Sequence, residues 1–130
     1  MNTMKILIVD DSVTLRRILI NALKSIGYTD VVEAANGKEA LEKLSSNNID
    51  FLITDWNMPE MNGIELVKEI RANPSYSSLP VLMITVHGSE QDVIEALKAK
   101  VNSYIVKPFT PQELKDKIEA VLKTVQVNSP

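Results

Sequence analysis

Ile49-Asp50-Phe51-Leu52-Ile53-Thr54-Asp55-Trp56-Asn57-Met58-Pro59-Glu60-Met61-Asn62-Gly63 is the stretch whose reading decides the fold. Its apolar run is too short for an ordinary helix and stops at a carboxylate. Phe51 to Thr54 therefore reads as a strand buried on both faces, with Asp55 at its carboxyl end. Pro59 bars helix before it and Gly63 permits unusual backbone after it, so the chain beyond Asp55 forms a loop able to curve around whatever the aspartate holds. A strand that stops at an acid and opens into a loop marks the edge where open α/β sheets place their chemistry.

Toward the N-terminus, Lys5-Ile6-Leu7-Ile8-Val9 reads as another buried strand, closing on Asp10-Asp11. Ser12 caps a helix whose apolar residues Leu15, Ile18, Leu19, Ala22, Leu23 and Ile26 recur at helical period, and Gly27 ends it. Val31-Val32 is a short strand, Asn36-Gly37 a turn, and Ala40, Leu41 and Leu44 mark a second helix. Toward the C-terminus, Asn62 caps a helix with Ile64, Val67 and Ile70 inward. Pro80 to Thr85 is a strand ending in a hydroxyl, and Ser89-Glu90-Gln91-Asp92 opens a helix in which Val93, Leu97 and Val101 share a face. Tyr104-Ile105-Val106 is a strand ending at Lys107. Thr110-Pro111-Gln112-Glu113 combines a cap, a proline at the first helical position and a reciprocal glutamate, and it opens a helix through Leu114, Ile118, Val121, Leu122 and Val125. Val127 to Pro130 is expected to fray.

Strands alternating with helices imply a parallel sheet with right-handed crossovers and helices on both faces: α/β, doubly wound (βα)5. Asp10-Asp11 and Asp55 can share a ligand only if the first and third strands are neighbours, which selects the order 2-1-3-4-5. At 130 residues the chain is read as a single domain, residues 1–130, with its core from 4 to 125. A composition of 45% hydrophobic and 24% charged residues with net charge −3 carries no basic excess, so neither nucleic acid nor membrane is expected as a partner. Cysteine is absent, which excludes disulfides and thiolate metal sites; the N-terminus lacks the pattern of a signal peptide, and a cytoplasmic location follows.

In a parallel sheet Asp10-Asp11, Asp55, Thr85 and Lys107 all end on one edge. Three crowded carboxylates resist ionising together unless a cation accepts their oxygens, and Mg²⁺, a hard ion that takes a few carboxylates and keeps waters, meets that need. Asp11 and Asp55 are the expected direct ligands with the backbone carbonyl of Asn57, and Asp10 acts through water. Asp55 is then placed to take up a phosphoryl group, with Lys107 able to pair with one phosphoryl oxygen and Thr85 to bond another. Each residue also has a plainer reading: Asp10-Asp11 as helix-dipole acids, Asp55 as a turn former, Lys107 as a solvated lysine and Thr85 as an ordinary strand end. What favours the site is that all of them fall on one edge. Arg16 and Arg17 are assigned to a solvated helix face, Met58 and Met61 to loop packing, His87 to a surface loop, and Trp56 to a partly exposed position beside the site.

Val9-Asp10-Asp11-Ser12, Thr54-Asp55-Trp56-Asn57-Met58-Pro59 with Gly63, Thr85, and Tyr104-Ile105-Val106-Lys107-Pro108-Phe109 together resemble the receiver domain of two-component response regulators, over essentially the whole chain. With Arg16-Arg17 and Lys107-Pro108-Phe109-Thr110, they look most like the stand-alone receivers of chemotaxis. The resemblance implies the flavodoxin-like fold and a phosphoacceptor rather than an enzyme, one that assists its own phosphorylation and dephosphorylation. A chemotaxis-type sensor histidine kinase would donate to Asp55 with Mg²⁺. Thr85 and Tyr104 would act as the switch pair that remodels a face formed by the fourth helix, fifth strand and fifth helix. That face would bind the flagellar motor switch or another protein target, the protein acting as a monomer, with a phosphatase as a further partner. A cis peptide between Lys107 and Pro108 is also implied. Two residues depart from the family pattern. Val86 follows Thr85 where a small residue is usual, which would slow phosphoryl gain and loss, and Lys100 stands where glycine is usual at a turn demanding positive φ.

Three rival readings have their own signatures. A phosphatase or phosphotransferase with an aspartate nucleophile wants a second acid two residues on, where this chain has Asn57. A flavin-binding module wants a hydroxyl- and glycine-rich loop after the first strand, where Asp10-Asp11 would repel a phosphate. A receiver in another phosphorelay, or one whose switch is unused and which serves as a scaffold, shares every motif above.

Overall fold

The computed structural model describes residues 4–86 and 88–128, with side chains described up to residue 124. Within it lie β1 (Ile6–Val9), α1 (Val13–Ser25), β2 (Val31–Ala34), α2 (Gly37–Ser46), β3 (Phe51–Thr54), α3 (Gly63–Ala72), β4 (Val81–Thr85), α4 (Glu90–Lys98), β5 (Ser103–Val106) and α5 (Pro111–Asn128). The strands are all parallel and pair in the order β2-β1-β3-β4-β5, as the acid pattern required.

Alternation along the strands divides the interior into two cores. Ile6, Ile8, Phe51, Ile53, Leu82, Ile84 and Ile105 face α1 and α5, meeting Leu19, Leu23, Leu114 and Ile118. Leu7, Val9, Leu52, Val81 and Met83 face the other way, toward Ala40 and Leu44 of α2, Ile64, Val67 and Ile70 of α3, and Ala96 of α4. β1 and β3 are buried along their whole length, the condition that a two-sided parallel strand imposes on its sequence.

The caps fall largely where the residue types place them. Ser12, Asn62 and Ser89 accept N–H bonds from the first turns of α1, α3 and α4, and Asn62 exchanges a reciprocal pair with Glu65. Thr110 and Glu113 make the same exchange at 3.1 Å in both directions, ahead of α5. Asn36-Gly37 is corrected from a turn to a helix start: Asn36 Oδ1 accepts the Glu39 N–H at 2.8 Å, and Gly37 opens α2 beneath Met61. On α4 the inward residue is Ala96, with Ala99 and Val101 buried just beyond the helix, whereas Leu97 is 54% exposed. The expected Val93, Leu97 and Val101 face is therefore corrected. The last helix continues through Asn128, past the expected fraying point at Val127; residues 129 and 130 lie outside the described residues, as does His87. No helix among the described residues is long and apolar enough to cross a membrane.

Candidate functional site

The sheet ladder sets the site residues side by side. One residue past its strand, Asp55 donates its backbone N–H to Val9 O at 2.9 Å, and Asp10 donates to Ala34 O at 3.2 Å. Lys107, one residue past β5, donates to Thr85 O at 2.8 Å. The acidic ends of β1 and β3 therefore meet at the crevice between them, with the lysine arriving from beyond β4.

Asp10, Asp11 and Asp55 each offer a carboxylate oxygen, and the three oxygens lie within 4.8 Å of one another. Lys107 Nζ reaches into the same group, 3.4 Å from Asp10 Oδ2 and 3.2 Å from Asp55 Oδ2. Asp55 is 8% exposed, and its other oxygen accepts the Trp56 N–H at 2.7 Å. Burial, reinforced by the Asp55 charge, raises the Asp10 pKa; the Ser12 N–H and Lys107 oppose that rise without cancelling it. The donor set is hard oxygen at the density a small divalent cation prefers, so the residues fit Mg²⁺, with Lys107 supplying one positive charge of its own.

Around the acids lies a cleft of about 400 Å³ walled by Leu15, Ile18, Ile84, Val86, Pro108 and Phe109. Leu15 and Ile18, assigned by their period to the interior, are 37% and 52% exposed there. Gly63 closes the loop from below. A Cβ at that position would stand 2.1 Å from Asp55 O, and the Gly63 N–H bonds Trp56 O at 2.8 Å. Close approach, rather than a positive φ, is what demands glycine here.

Thr85 ends β4 and is fully buried. Tyr104 lies half-buried on β5, with its pKa pushed up to about 12 by burial and then by the charges of Asp92 and Asp55. Asn57 is exposed on the loop after Asp55. The Lys107–Pro108 bond is cis, and Lys100 has φ 73°, both as expected from the resemblance. Trp56 corrects its assignment: it is 8% exposed and packs in the α2/α3/α4-side core. Arg16 corrects another. Its side chain is 13% exposed, its Nε pairs with Glu33 Oε1 at 3.0 Å, and its Nη1 donates to the carbonyl of Asp10. Arg17 is exposed, and Met58 and Met61 pack against the core from the loop.

This is a doubly wound α/β protein with an acid, lysine and hydroxyl set at the carboxyl edge of its central strands. The profile of the response regulator receiver domain matches residues 6–119. The chain is 59% identical over 122 residues to the chemotaxis protein CheY1 of Helicobacter pylori, covering 93% of this chain and 98% of that one. It is 52% identical to the chemotaxis protein CheY of Pseudomonas aeruginosa, covering 94% and 98%. Its fold superposes on the high-resolution structure of the Vibrio cholerae chemotaxis protein CheY4 with a TM-score of 0.85 at 37% identity, covering 92% and 99%. The chain belongs to the response regulator receiver domain family and is of the CheY type that serves two-component signalling. CheY is itself one of the proteins that define the ligand crevice for this strand order, so the location of the site is a property of the family.

Proposed function

We propose that Asp55 is the phosphoacceptor of a chemotaxis phosphorelay and that its phosphorylation changes what the α4/β5/α5 face binds. The observation that carries this reading is the pairing of Lys107 with Asp55 Oδ2 and Asp10 Oδ2 inside a three-carboxylate cluster. Lys107 stands ready to follow the charge when it moves onto a phosphoryl oxygen. Asp11 and Asp55, with the carbonyl of Asn57, would hold Mg²⁺, and Asp10 would act through water; when bound, the ion would offset the repulsion between the acids and an incoming phosphate.

The donor is a phosphohistidine of a sensor kinase. Its P–N bond breaks as a P–O bond to Asp55 forms, and the departing imidazole takes a proton from solvent. The Trp56 N–H holds Oδ1 and so fixes the carboxylate plane during the exchange. Lys107 then pairs with one phosphoryl oxygen and the Thr85 hydroxyl bonds a second, while Tyr104 turns inward behind Thr85. Moving a two-state equilibrium from 1:99 to 99:1 takes about 5.5 kcal/mol. A charge-assisted bond of about 1.5–3 kcal/mol and a hydroxyl bond of about 1 supply much of that, and a partner preferring the active state supplies the remainder. Ile94, Leu97 and Val106 are 40%, 54% and 42% exposed on α4 and β5, an apolar surface suited to a protein target such as the flagellar motor switch. The same reading carries a cytoplasmic location, where the kinase and the motor face one another.

The test is incubation with Mg²⁺ and acetyl phosphate, followed by intact mass and binding to a motor-switch peptide. An acid-labile adduct on Asp55, absent in Asp55→Asn, with tighter peptide binding is expected. No adduct with metal and donor both supplied overturns the reading. An adduct without any change in peptide affinity confines it to phosphoacceptance.

A further inference from the structure

Arg16 sits on α1, one turn beyond the acids, and among the described residues its hydrogen bonds and ion pairs go to Glu33 and the Asp10 carbonyl rather than to the clustered carboxylates. Its guanidinium is divided between two strands. Nη1 donates to the Asp10 carbonyl at the end of β1, and Nε pairs with Glu33 of β2 at 3.0 Å. The Asp10 carbonyl belongs to the peptide group that joins Asp10 to Asp11, so fixing its direction fixes the direction in which Asp11 leaves the strand. The remaining anchors lie on the flanks: the Asp10 N–H on Ala34 O at 3.2 Å, and the Ser12 N–H on Asp10 Oδ1 at 2.9 Å. Asp11 is the exposed member of the three acids. Without a hold on the preceding carbonyl, its carboxylate would have a wider range of positions.

We infer that Arg16 is a positioning residue for the cation site, braced by Glu33, and that it sets Mg²⁺ affinity by orienting the Asp10–Asp11 peptide rather than by its charge. The inference rests on the cation reading of the acid cluster proposed above. Charge alone predicts the opposite sign: a cation beside the acids weakens binding of Mg²⁺, so its removal would tighten it. Residues that hold a ligand from behind typically control affinity by about 10- to 100-fold. Lysine keeps the charge but lacks the planar fork that serves two acceptors in fixed directions.

Mg²⁺ binding is read without any phosphorylation by isothermal titration calorimetry, with the emission of Trp56, the sole tryptophan, whose backbone N–H bonds Asp55 Oδ1, as a second signal. Mg²⁺ titrations would be followed in this way for the wild-type chain, Arg16→Gln, Arg16→Lys, Glu33→Gln and the Arg16→Gln/Glu33→Gln pair. Arg16→Gln and Arg16→Lys are both expected to raise the Kd for Mg²⁺ by about tenfold. The phosphorylation rate at saturating Mg²⁺ should stay within twofold of the wild type. Glu33→Gln should raise the Kd by less, and the double variant should be no weaker than Arg16→Gln alone, since the brace acts through the arginine. A Kd in Arg16→Gln that is unchanged or tighter overturns the inference, as does wild-type affinity in Arg16→Lys. Glu33→Gln keeps the carbonyl bond of Arg16, so a clear shift in that variant supports the brace even where an Arg16 variant folds poorly. A wild-type chain with no saturable response to Mg²⁺ overturns the cation reading itself.

Discussion

The two edges of this sheet are built from the same kinds of residue and treated in opposite ways. At the carboxyl edge two of the three clustered acids, Asp10 and Asp55, share one lysine, and burial raises the pKa of Asp10 because that compensation is incomplete. At the amino edge Arg71, from the last turn of α3, donates to Lys100 O twice, to Leu79 O, to Ser77 O and to Asn102 Oδ1 over 2.7–3.2 Å. Asn102 Oδ1 also accepts the Val81 N–H at 2.7 Å, so the entries to β4 and β5 are tied to one guanidinium. A second tie joins β1 and β3, where Lys5 N–H meets Asp50 Oδ2 and Asp50 N–H meets Lys5 O, both at 2.9 Å. One edge spends its polar groups on the backbone and gains rigidity. The other keeps them crowded and unevenly matched, which is the state a reactive site needs.

The comparison is broken most directly at Arg71. Arg71→Gln removes most of the clamp and should destabilise the fold by about 3 kcal/mol, read from urea unfolding, with the phosphorylation rate of the folded protein unchanged. A loss under 1 kcal/mol would mean that the amino edge is held by packing alone.

Asp10→Asn probes the opposite edge and should stabilise by about 1 kcal/mol without divalent cation, lifting Tm by about 4 °C. The sign follows from linkage. A folded-state pKa raised above the ordinary 3.8 means that the native state binds the proton more tightly than the unfolded chain. Stability from this group is therefore present below pH 3.8 and lost as pH rises through the folded value. The gap in Tm between variant and wild type should widen across that window; a constant gap would trace the gain to something other than the Asp10 charge.

Val86 is 65% exposed at the rim of the cleft. Val86→Ala should speed loss of the phosphoryl group by about two- to fivefold, less than 1 kcal/mol of barrier, in a stopped assay of decay. An unchanged decay rate removes Val86 as a screen. Lys100→Gly is the finest test. Left-handed backbone at φ 73° costs a non-glycine residue about 1–2 kcal/mol, part of which glycine gives back as chain entropy. A net gain of about 0.5 kcal/mol is expected in thermal melts, and a lower Tm would show that Arg71 already holds the turn without strain.

Much of this was legible in the chain itself, because acids at strand ends and reciprocal caps are local signals. Asp10, Asp55 and Lys107 could be placed on one edge from strand polarity alone, and Thr110 with Glu113 announced α5. The failures share a cause as well. Asn36-Gly37 carries the same short-range chemistry for a turn and for a cap, and only the helix above it decides. Arg16 looked solvated because its partner Glu33 lies on a neighbouring strand, 17 residues away. Leu97 satisfied the helical period, but α4 is short, and small Ala96 is the residue that can approach the sheet. Trp56 follows a charged residue in a loop, a context that hides its burial in the second core.

Gly63 limits how this loop can be re-engineered. Because its Cα lies against the Asp55 carbonyl, the frame around Asp55 is shut by main chain alone. Exposed Asn57, Pro59 and Glu60 can then be varied, with Met58 and Met61 kept for their packing against the core, while the pose of Asp55 is inherited from a position with no side chain to vary.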